Sequence, residues 1–252
     1  MTITLIIPFY NAEKWLDRCL TSVAHQTVPF DEVILIDDGS TDKSASIASK
    51  QFFVKWRLYE NTQNYGVSYS RNLGLKGAET DYVAFLDADD ELVSDACEIM
   101  KREAETGENI VQFNHWRKYE MVEELRMKHQ ENARKFTLAD MPTRPLAWFA
   151  VWNKIYRRDF LLQKQLFFDE DLEWGEDLLF NAQAIIKNYG IRCVEDATCI
   201  RHFDNKQSLN HLNRDSKHEG MLIKKLKQVC HIDERIIGEI IEEHQESKRN
   251  MA

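Results

Sequence analysis

Three short apolar runs divide the first third of the chain at regular intervals: ITLII at residues 3–7, EVILI at 32–36 and YVAFL at 82–86. Continuous apolar runs of this length are typical of strands that are buried on both faces of a parallel sheet. Segments with helical spacing separate them, and Asn11 is a suitable N-cap for a helix over residues 12–26. The alternation therefore predicts an α/β fold, a mostly parallel sheet flanked by helices.

The pattern changes after residue 91. It predicts a helix over residues 94–105 and a strand over 109–116, followed by a highly charged stretch, 117–135, that we expect to be exposed or mobile. Two prolines in TLADMPTRP, residues 137–145, mark a boundary. Residues 147–190 show a helical pattern that breaks at FFDEDLEWGED, and residues 216–252 predict one or two amphipathic helices.

Composition excludes several classes of protein. The 252 residues carry a net charge of -9, which counts against binding of nucleic acid, although a local basic groove stays open. Five scattered cysteines without a CxxC pair favour a reducing compartment over a zinc site or a disulfide framework. The first apolar run is too short for a signal peptide, and no run reaches the length of a membrane span. We therefore expect a cytoplasmic protein.

Polar residues follow each of the three apolar runs. They are PFYN at residues 8–11, DDGS at 37–40 and DADD at 87–90. Ligands of open parallel sheets bind beyond the carboxyl ends of the strands. The three polar segments should therefore meet at one edge of the sheet and form one site.

The run FLDADDE, residues 85–91, places four carboxylates in five positions. Their mutual repulsion and the cost of burying them suggest a bound cation. Asp87 and Asp89 are two residues apart, so an extended chain directs both toward the same side. Their hard oxygen ligands suit Mg²⁺ or Mn²⁺. The alternative is a solvated acidic turn, but the position directly after a buried strand favours the metal.

The other polar segments leave alternatives open. We assign Gly39, Ser40 and Asp42 to a turn and a helix cap, whereas Asp37 and Asp38 favour ligand contact. The chain has neither a GxGxxG nor a GxxxxGK[ST] motif, which excludes the usual dinucleotide fold and P-loop chemistry.

Four residues outside these segments are further candidates. Arg71 would contact a phosphate or base, or lie on a helix surface, and Asn72 would bond a ring or fix a loop. Asp177 is either a residue of a first helical turn or a general base. His202 is either structural or a metal ligand.

Taken in order, these segments resemble an inverting glycosyltransferase of family 2 with the GT-A fold. The resemblance covers most of residues 3–210. It rests on IIPFYNAEKWLDRCLTSVAHQT, EVILIDDGSTDKS, NYGVSYSRNLGL, YVAFLDADD, WNKIYRRDFL and FFDEDLEWGEDLLF. It implies a catalytic domain over 1–210, with a donor half at 1–92 and an acceptor half at 93–210, and a C-terminal helical extension over 211–252.

The resemblance also assigns roles to single residues. The nucleoside of a nucleotide-sugar, usually uridine, would be held by Pro8, Tyr10, Asp38 and Arg71. Asp87 would reach ribose or the metal, and Asp89 would coordinate the metal. Asp177 matches the catalytic base, with Glu176 beside it. His202 matches a position that touches metal or diphosphate, although residues 203–208 depart from the usual pattern there.

The implied reaction is a metal-dependent transfer of sugar from a UDP-sugar to an acceptor hydroxyl in one displacement. The expected acceptor is a saccharide or lipid-linked glycan of surface polysaccharide synthesis. The segment LIKKLKQV, residues 222–229, would lie on an anionic membrane, line an acceptor groove or form a solvated face. Alternatives are the same chemistry on a modified nucleic-acid base and a degenerate, non-catalytic binding module. A nucleotidyltransferase is disfavoured because a glycine-rich loop is missing after the first strand.

Overall fold

A computed structural model describes residues 1–50, 55–119, 122–126, 135–136, 150–202 and 216–230. Its strands, in chain order, are β1 (Ile3–Phe9), β2 (Glu32–Asp37), β3 (Trp56–Glu60), β4 (Tyr82–Phe85), β5 (Glu91–Leu92), β6 (Ile110–Tyr119), β7 (Val122–Arg126), β8 (Lys135–Phe136), β9 (Lys154–Arg157) and β10 (Ile191–His202). Its helices are α1 (Leu16–Ala24), α2 (Ser44–Ala48), α3 (Val67–Gly77), α4 (Ala96–Ala104), α5 (Arg158–Gln163), α6 (Glu176–Asn188) and α7 (Ser216–Lys225), which a π-helical turn follows at Leu226–Cys230.

The strands of the described residues form one sheet in the order β3-β2-β1-β4-β9-β6-β10-β5, with β7 beside β6 and β8 beside β10. The first four strands in this order are parallel, and β9 pairs antiparallel with both β4 and β6. The predicted α/β fold is confirmed. The sheet is parallel where apolar runs alternate with helices, and mixed beyond β4.

Hydrophobic cores cover both faces of the sheet, because successive side chains of a strand point to opposite faces. On one face, Ile6 and Phe85 pack in the same cluster as Leu178 of α6. On the other face, Leu5 and Leu35 belong to a cluster that includes residues of α1 and α4. Burial on both faces explains why the strands read as continuous apolar runs.

The prediction that Asn11 caps a helix over 12–26 was wrong. Helix α1 begins at Leu16, and Asn11 adopts a left-handed conformation with φ 47°. Its side-chain oxygen instead accepts a hydrogen bond from the backbone N–H of Thr41 at 2.9 Å. A contact across 30 residues thus replaces the local cap.

The structure adds β-strands to two parts of the second half. The helical pattern over 147–190 hid β9, whose four residues gain partners on both sides from β4 and β6. The charged stretch 117–135 is partly β-structure, because β6 extends to Tyr119 and pairs with β7. Residues 137–145, where a boundary was predicted, lie outside the described residues.

The C-terminal segment forms one helix within the described residues, α7. Leu222 and Leu226 are fully buried in the core, and Lys225 Nζ lies within 2.6 Å of both carboxylate oxygens of Asp169. This apolar face packs on the protein itself, so it cannot also enter a bilayer. In the described part of the chain, no helix is long and apolar enough to cross a membrane.

Candidate active site

The carboxyl ends of β1 and β2 are joined directly, because the N–H of Asp38 donates to the carbonyl of Phe9 at 2.9 Å. Next to β1 on its other side, β4 ends two residues before Asp87. The three polar segments therefore follow three neighbouring strands of the sheet, as the sequence predicts.

Asp38 is buried, and both of its oxygens hold the loop over residues 61–66. Oδ1 accepts hydrogen bonds from Asn61 Nδ2 at 2.8 Å and from the N–H of Tyr65 at 3.0 Å, while Oδ2 accepts from the N–H of Gly66 at 2.8 Å. The carboxylate thus sets the path of the chain into α3.

Asp37 and Gly39 shape the turn that faces this loop. Asp37 Oδ1 accepts a hydrogen bond from the N–H of Ser40 at 2.8 Å. Gly39 has φ 77°, and a Cβ atom there would lie 2.6 Å from the carbonyl carbon of Gln63. Only glycine fits where the two loops approach so closely.

Arg71 of α3 joins two separate parts of the site. Its Nη1 donates to Glu176 Oε1 at 2.8 Å and its Nη2 donates to Asp87 Oδ1 at 2.9 Å. The guanidinium carbon lies 5.3 Å from the ring centre of Phe168. Burial lowers the pKa of Arg71, but the carboxylates of Asp87, Glu176 and Asp177 outweigh burial and raise it. The arginine stays charged and holds β4 to α6.

Asn72 is buried on the same helix and binds the segment that leads to α6. Its amide group donates to the carbonyl of Phe168 at 2.9 Å and to Glu170 Oε1 at 2.8 Å, and its oxygen accepts from the N–H of Phe168 at 2.8 Å. Of the two roles left open for Asn72, the geometry matches the fixing of a loop.

Asp87, Asp89 and Asp90 gather beyond β4, with one carboxylate oxygen of each within 4.8 Å of the others. Opposite ligands of Mg²⁺ are separated by about 4.2 Å, so small side-chain rotations would let these oxygens share one cation. Burial and the carboxylate of Asp89 raise the pKa of Asp90 well above its usual range. An all-carboxylate donor set with this much repulsion fits a hard divalent ion.

Asp90 was part of the acidic run but was not among the predicted site residues. It is buried, and its Oδ1 accepts a hydrogen bond from the backbone N–H of His202 at 2.8 Å. His202 Nε2 lies 2.5 Å from Glu91 Oε1. The end of β10 is therefore attached to the acidic cluster, and the histidine ring faces Glu91.

Glu176 and Asp177 open helix α6, directly after Gly175. Glu176 is buried, while Asp177 is partly buried and its Oδ1 accepts a hydrogen bond from the N–H of Leu178 at 2.8 Å. Burial, followed by the charge of Glu176, raises the pKa of Asp177 to about 7. A carboxyl group with this pKa can accept a proton near neutral pH.

Sequence reasoning missed Lys154, which lies in the quoted segment WNKIYRRDFL. Its side chain is fully buried, and Nζ donates to the carbonyl of Ala150 at 2.5 Å and to Asn153 Oδ1 at 3.0 Å. Burial lowers the pKa of Lys154 to about 7, although the charge of Asp177 acts in the opposite direction. No local signal marked Lys154, because the four residues of β9 do not form a recognisable apolar run in the sequence.

Pro8 and Tyr10 flank the end of β1 differently. Pro8 is buried and lies opposite Ile36 in the parallel pairing with β2. Tyr10 is 48% exposed just beyond the strand. Tyr10 thus offers an aromatic surface to a ligand at this edge, whereas Pro8 packs inside it.

The family model described as "Glycosyl transferase family 2" matches residues 4–163. The chain belongs to this family. The match includes Arg71 and the acidic cluster, and it ends before Glu176 and Asp177.

Curated glycosyltransferases are similar to the chain over much of its length. The uncharacterized glycosyltransferase EpsJ of Bacillus subtilis is 29% identical over 232 residues, which cover 83% of this chain and 63% of EpsJ. The uncharacterized glycosyltransferase YibD of Escherichia coli is 32% identical over 196 residues, covering 71% of this chain and 57% of YibD. The chain thus spans about three fifths of the length of these relatives.

Solved structures of the same architecture come from Staphylococcus aureus TarS. The complex of TarS 1–349 with UDP-GlcNAc has a TM-score of 0.77 and 24% identity, covering 97% of this chain and 72% of that one. The complex with UDP has a TM-score of 0.74 and 23% identity, covering 97% and 71%. The likeness shows that the chain has the GT-A-like fold of these structures.

Proposed function

We propose that this family 2 protein transfers a sugar from a nucleoside-diphosphate sugar, in particular a UDP-sugar, to an acceptor hydroxyl with inversion. The observation that carries the proposal is the double ion pair of Arg71. It ties Asp87 of the acidic cluster to Glu176, the residue beside Asp177. A cluster of carboxylates and a carboxyl group with a pKa of about 7 are therefore held in one site.

Asp177 is the proposed general base. It would accept the proton of the acceptor hydroxyl while that oxygen attacks the anomeric carbon from the side opposite the leaving nucleoside diphosphate. One such displacement inverts the anomeric centre and needs no covalent intermediate. The helical first turn holds Asp177 at a fixed position, and its partial exposure leaves it accessible.

The donor is proposed to bind along the carboxyl ends of β1, β2 and β4. The exposed ring of Tyr10 and the loop that Asp38 fixes would surround the nucleoside. TarS, which shares the fold, has been crystallised with UDP and with UDP-GlcNAc, and this supports a uridine nucleotide.

Asp87 and Asp89 are proposed to hold Mn²⁺ or Mg²⁺, with Asp90 behind them. Such an ion would neutralise the charge that develops on the departing diphosphate. The protein's own part is to keep the carboxylates together, and Arg71 does so for Asp87.

The acceptor is proposed to be a glycan or a cell-surface polymer. Among similar proteins is the teichoic acid poly(glycerol phosphate) polymerase of Staphylococcus epidermidis, 39% identical over 95 residues that cover 36% of this chain and 13% of that protein. This similarity supports a role for the protein in polysaccharide or teichoic acid synthesis.

Calorimetric titration with UDP, GDP and CDP, each with and without Mn²⁺, tests the donor site. We expect UDP to bind most tightly and to require the ion. Proton NMR of products from UDP-sugars and glycan acceptors then tests inversion, because the new linkage should have the opposite anomeric configuration to the donor. Lack of binding of every nucleotide to folded protein would instead favour the non-catalytic binding module.

A further inference from the structure

The loop over residues 169–175 leads into the proposed base, and it carries four acidic side chains in five positions, at Asp169, Glu170, Asp171 and Glu173. Carboxylates this close repel each other and would open the loop without partners. Each of the four side chains has a partner elsewhere in the chain. Glu170 accepts a hydrogen bond from Asn72 of α3, and the other three acids contact side chains of α7.

Lys225 contacts three carboxylate oxygens of the loop. Its Nζ lies 2.5 and 2.6 Å from the two carboxylate oxygens of Asp169 and 3.1 Å from Asp171 Oδ2. The side chains of Lys225 and Asp169 are 20% and 25% exposed, so solvent screens this pair only partly. At the other end of the helix, His218 Nε2 lies 3.2 Å from Glu173 Oε2.

Apolar packing brings α7 against the residue that precedes Glu176. Gly175 has φ 76°, and a Cβ atom there would lie 2.6 Å from Leu222 Cδ2. Leu222 is fully buried, in the same cluster as Leu172 of the loop. Helix α7 therefore touches the loop at both ends and in the middle.

We propose that α7 positions the catalytic base: it holds the loop 169–175 so that Asp177 keeps the geometry needed for proton transfer, with Lys225 as the main positioning residue. The inference deepens the proposed function and rests on it for the role of Asp177. Helix α3 fixes the other side through Asn72 and Arg71, so the base lies between two anchors. A displacement of about 1 Å at a catalytic group can cost about 10²-fold in rate.

The test compares Lys225→Met with Lys224→Met. Both variants remove one lysine from the last turn of the same helix, but Lys224 is exposed. We expect Lys225→Met to lower kcat about tenfold and to leave the KM for the UDP-sugar and the Kd for UDP unchanged, while Lys224→Met behaves as wild type. Lys225→Arg should restore most of the rate, because it can still bind both oxygens of Asp169. The double variant Asp169→Asn with Lys225→Met should be no slower than the slower single variant.

Amide hydrogen exchange of residues 169–179 gives a readout that does not depend on activity. We expect faster exchange there in Lys225→Met and no change in Lys224→Met. If Lys225→Met exchanges faster but the wild type has no transferase activity, α7 still holds the loop 169–175 and the proposed function is overturned. Normal exchange and normal kcat in Lys225→Met, measured well below its Tm, would overturn the positioning role of Lys225 and leave the proposed function standing.

Discussion

Arg71 Nη1 lies 2.8 Å from Glu176 Oε1, although the two residues are 105 positions apart in the chain. Neither side chain is more than 10% exposed. The second guanidinium nitrogen binds Asp87 at 2.9 Å, so one planar group orients two carboxylates from different elements. The alignment of the acidic cluster with the start of α6 depends on this arginine.

Replacing Arg71 by methionine should leave Glu176 buried without its cation. Loss of one partner of a buried pair costs about 3 kcal/mol, so we expect the free energy of unfolding in urea to fall by about that amount. Arg158→Met is the control, because the partner of Arg158, its neighbour Asp159, lies 3.9 Å away and is 72% exposed, and a pair open to solvent in this way contributes less than about 1 kcal/mol. Equal losses in both variants would show that the bridge is not stabilising.

Asp177→Asn should reduce turnover by about 10² or more, as expected for loss of a general base, while the Kd for UDP stays the same. In the wild type, the rate should rise with pH through about 7, because the carboxyl group must lose its proton before it can accept one. Initial rates from pH 5 to 9 measure both effects. A variant that keeps the wild-type rate and pH profile would remove Asp177 from the mechanism.

Asp177→Asn should increase the free energy of unfolding at high pH, although it lowers turnover. The folded protein keeps the proton of Asp177 up to about pH 7, whereas the unfolded chain loses it near pH 4. The stability that the neutral form contributes is therefore complete below about pH 4 and is lost as pH rises through about 7. In metal-free protein, Asp177→Asn should be more stable than wild type at pH 8.5, by on the order of 1–2 kcal/mol, and similar at pH 4. Exposed Asp159, changed to Asn, should show no such difference.

Asp89→Ala should weaken binding of UDP at least about tenfold in the presence of Mn²⁺, because the ion loses a carboxylate ligand. Binding without Mn²⁺ should change little. Asp95→Ala is the matched control: Asp95 is an exposed acid six residues away and makes no side-chain cap for α4. Unchanged Mn²⁺-dependent affinity in Asp89→Ala would separate this residue from the metal.

Gly39→Ala should displace the loop over 61–66 and weaken UDP binding, since the new methyl group would lie 2.6 Å from the backbone of Gln63. Gly107→Ala controls for backbone strain: Gly107 has φ 76° against 77° at Gly39, and its Cβ would meet no atom within 4 Å. The difference between the two variants in calorimetric UDP affinity and in Tm therefore isolates the steric contact. Equal behaviour would mean that the loop yields without consequence.

The sequence predicted those parts of the fold in which local pattern and tertiary environment agree. β1, β2 and β4 are buried on both faces, and their continuous apolar runs announce it. β9 has no such signal: four residues, KIYR, form a strand because β4 and β6 lie on either side of it. Asn11 has a suitable side chain for a cap, but its oxygen instead accepts a hydrogen bond from the distant backbone N–H of Thr41.

The candidate site shows the same division. That the polar strand ends meet at one edge follows from parallel pairing, and the contact between Phe9 and Asp38 agrees with it. The contact of Arg71 with Glu176 could not be predicted, because nothing local indicates which of many acids a buried arginine will meet. Lys154 was missed for a related reason: its chemical interest comes from complete burial, which a single charged letter does not reveal.

The two residues of β5 have a consequence for engineering. They come from the first 92 residues, yet they pair with β10, at the opposite end of the sheet order from β3 and beyond the strands that follow β4. The chain between β4 and β5 is the acidic segment, so that segment bridges material from both halves of the sequence. In a chimera joined after residue 92, the last strand of the N-terminal segment would have to pair with a β10 from another parent, and Arg71 would have to bind a Glu176 from that parent. We expect such chimeras to fold only when both parents have the same residues at the β5–β10 pairing and at the contact between Arg71 and Glu176.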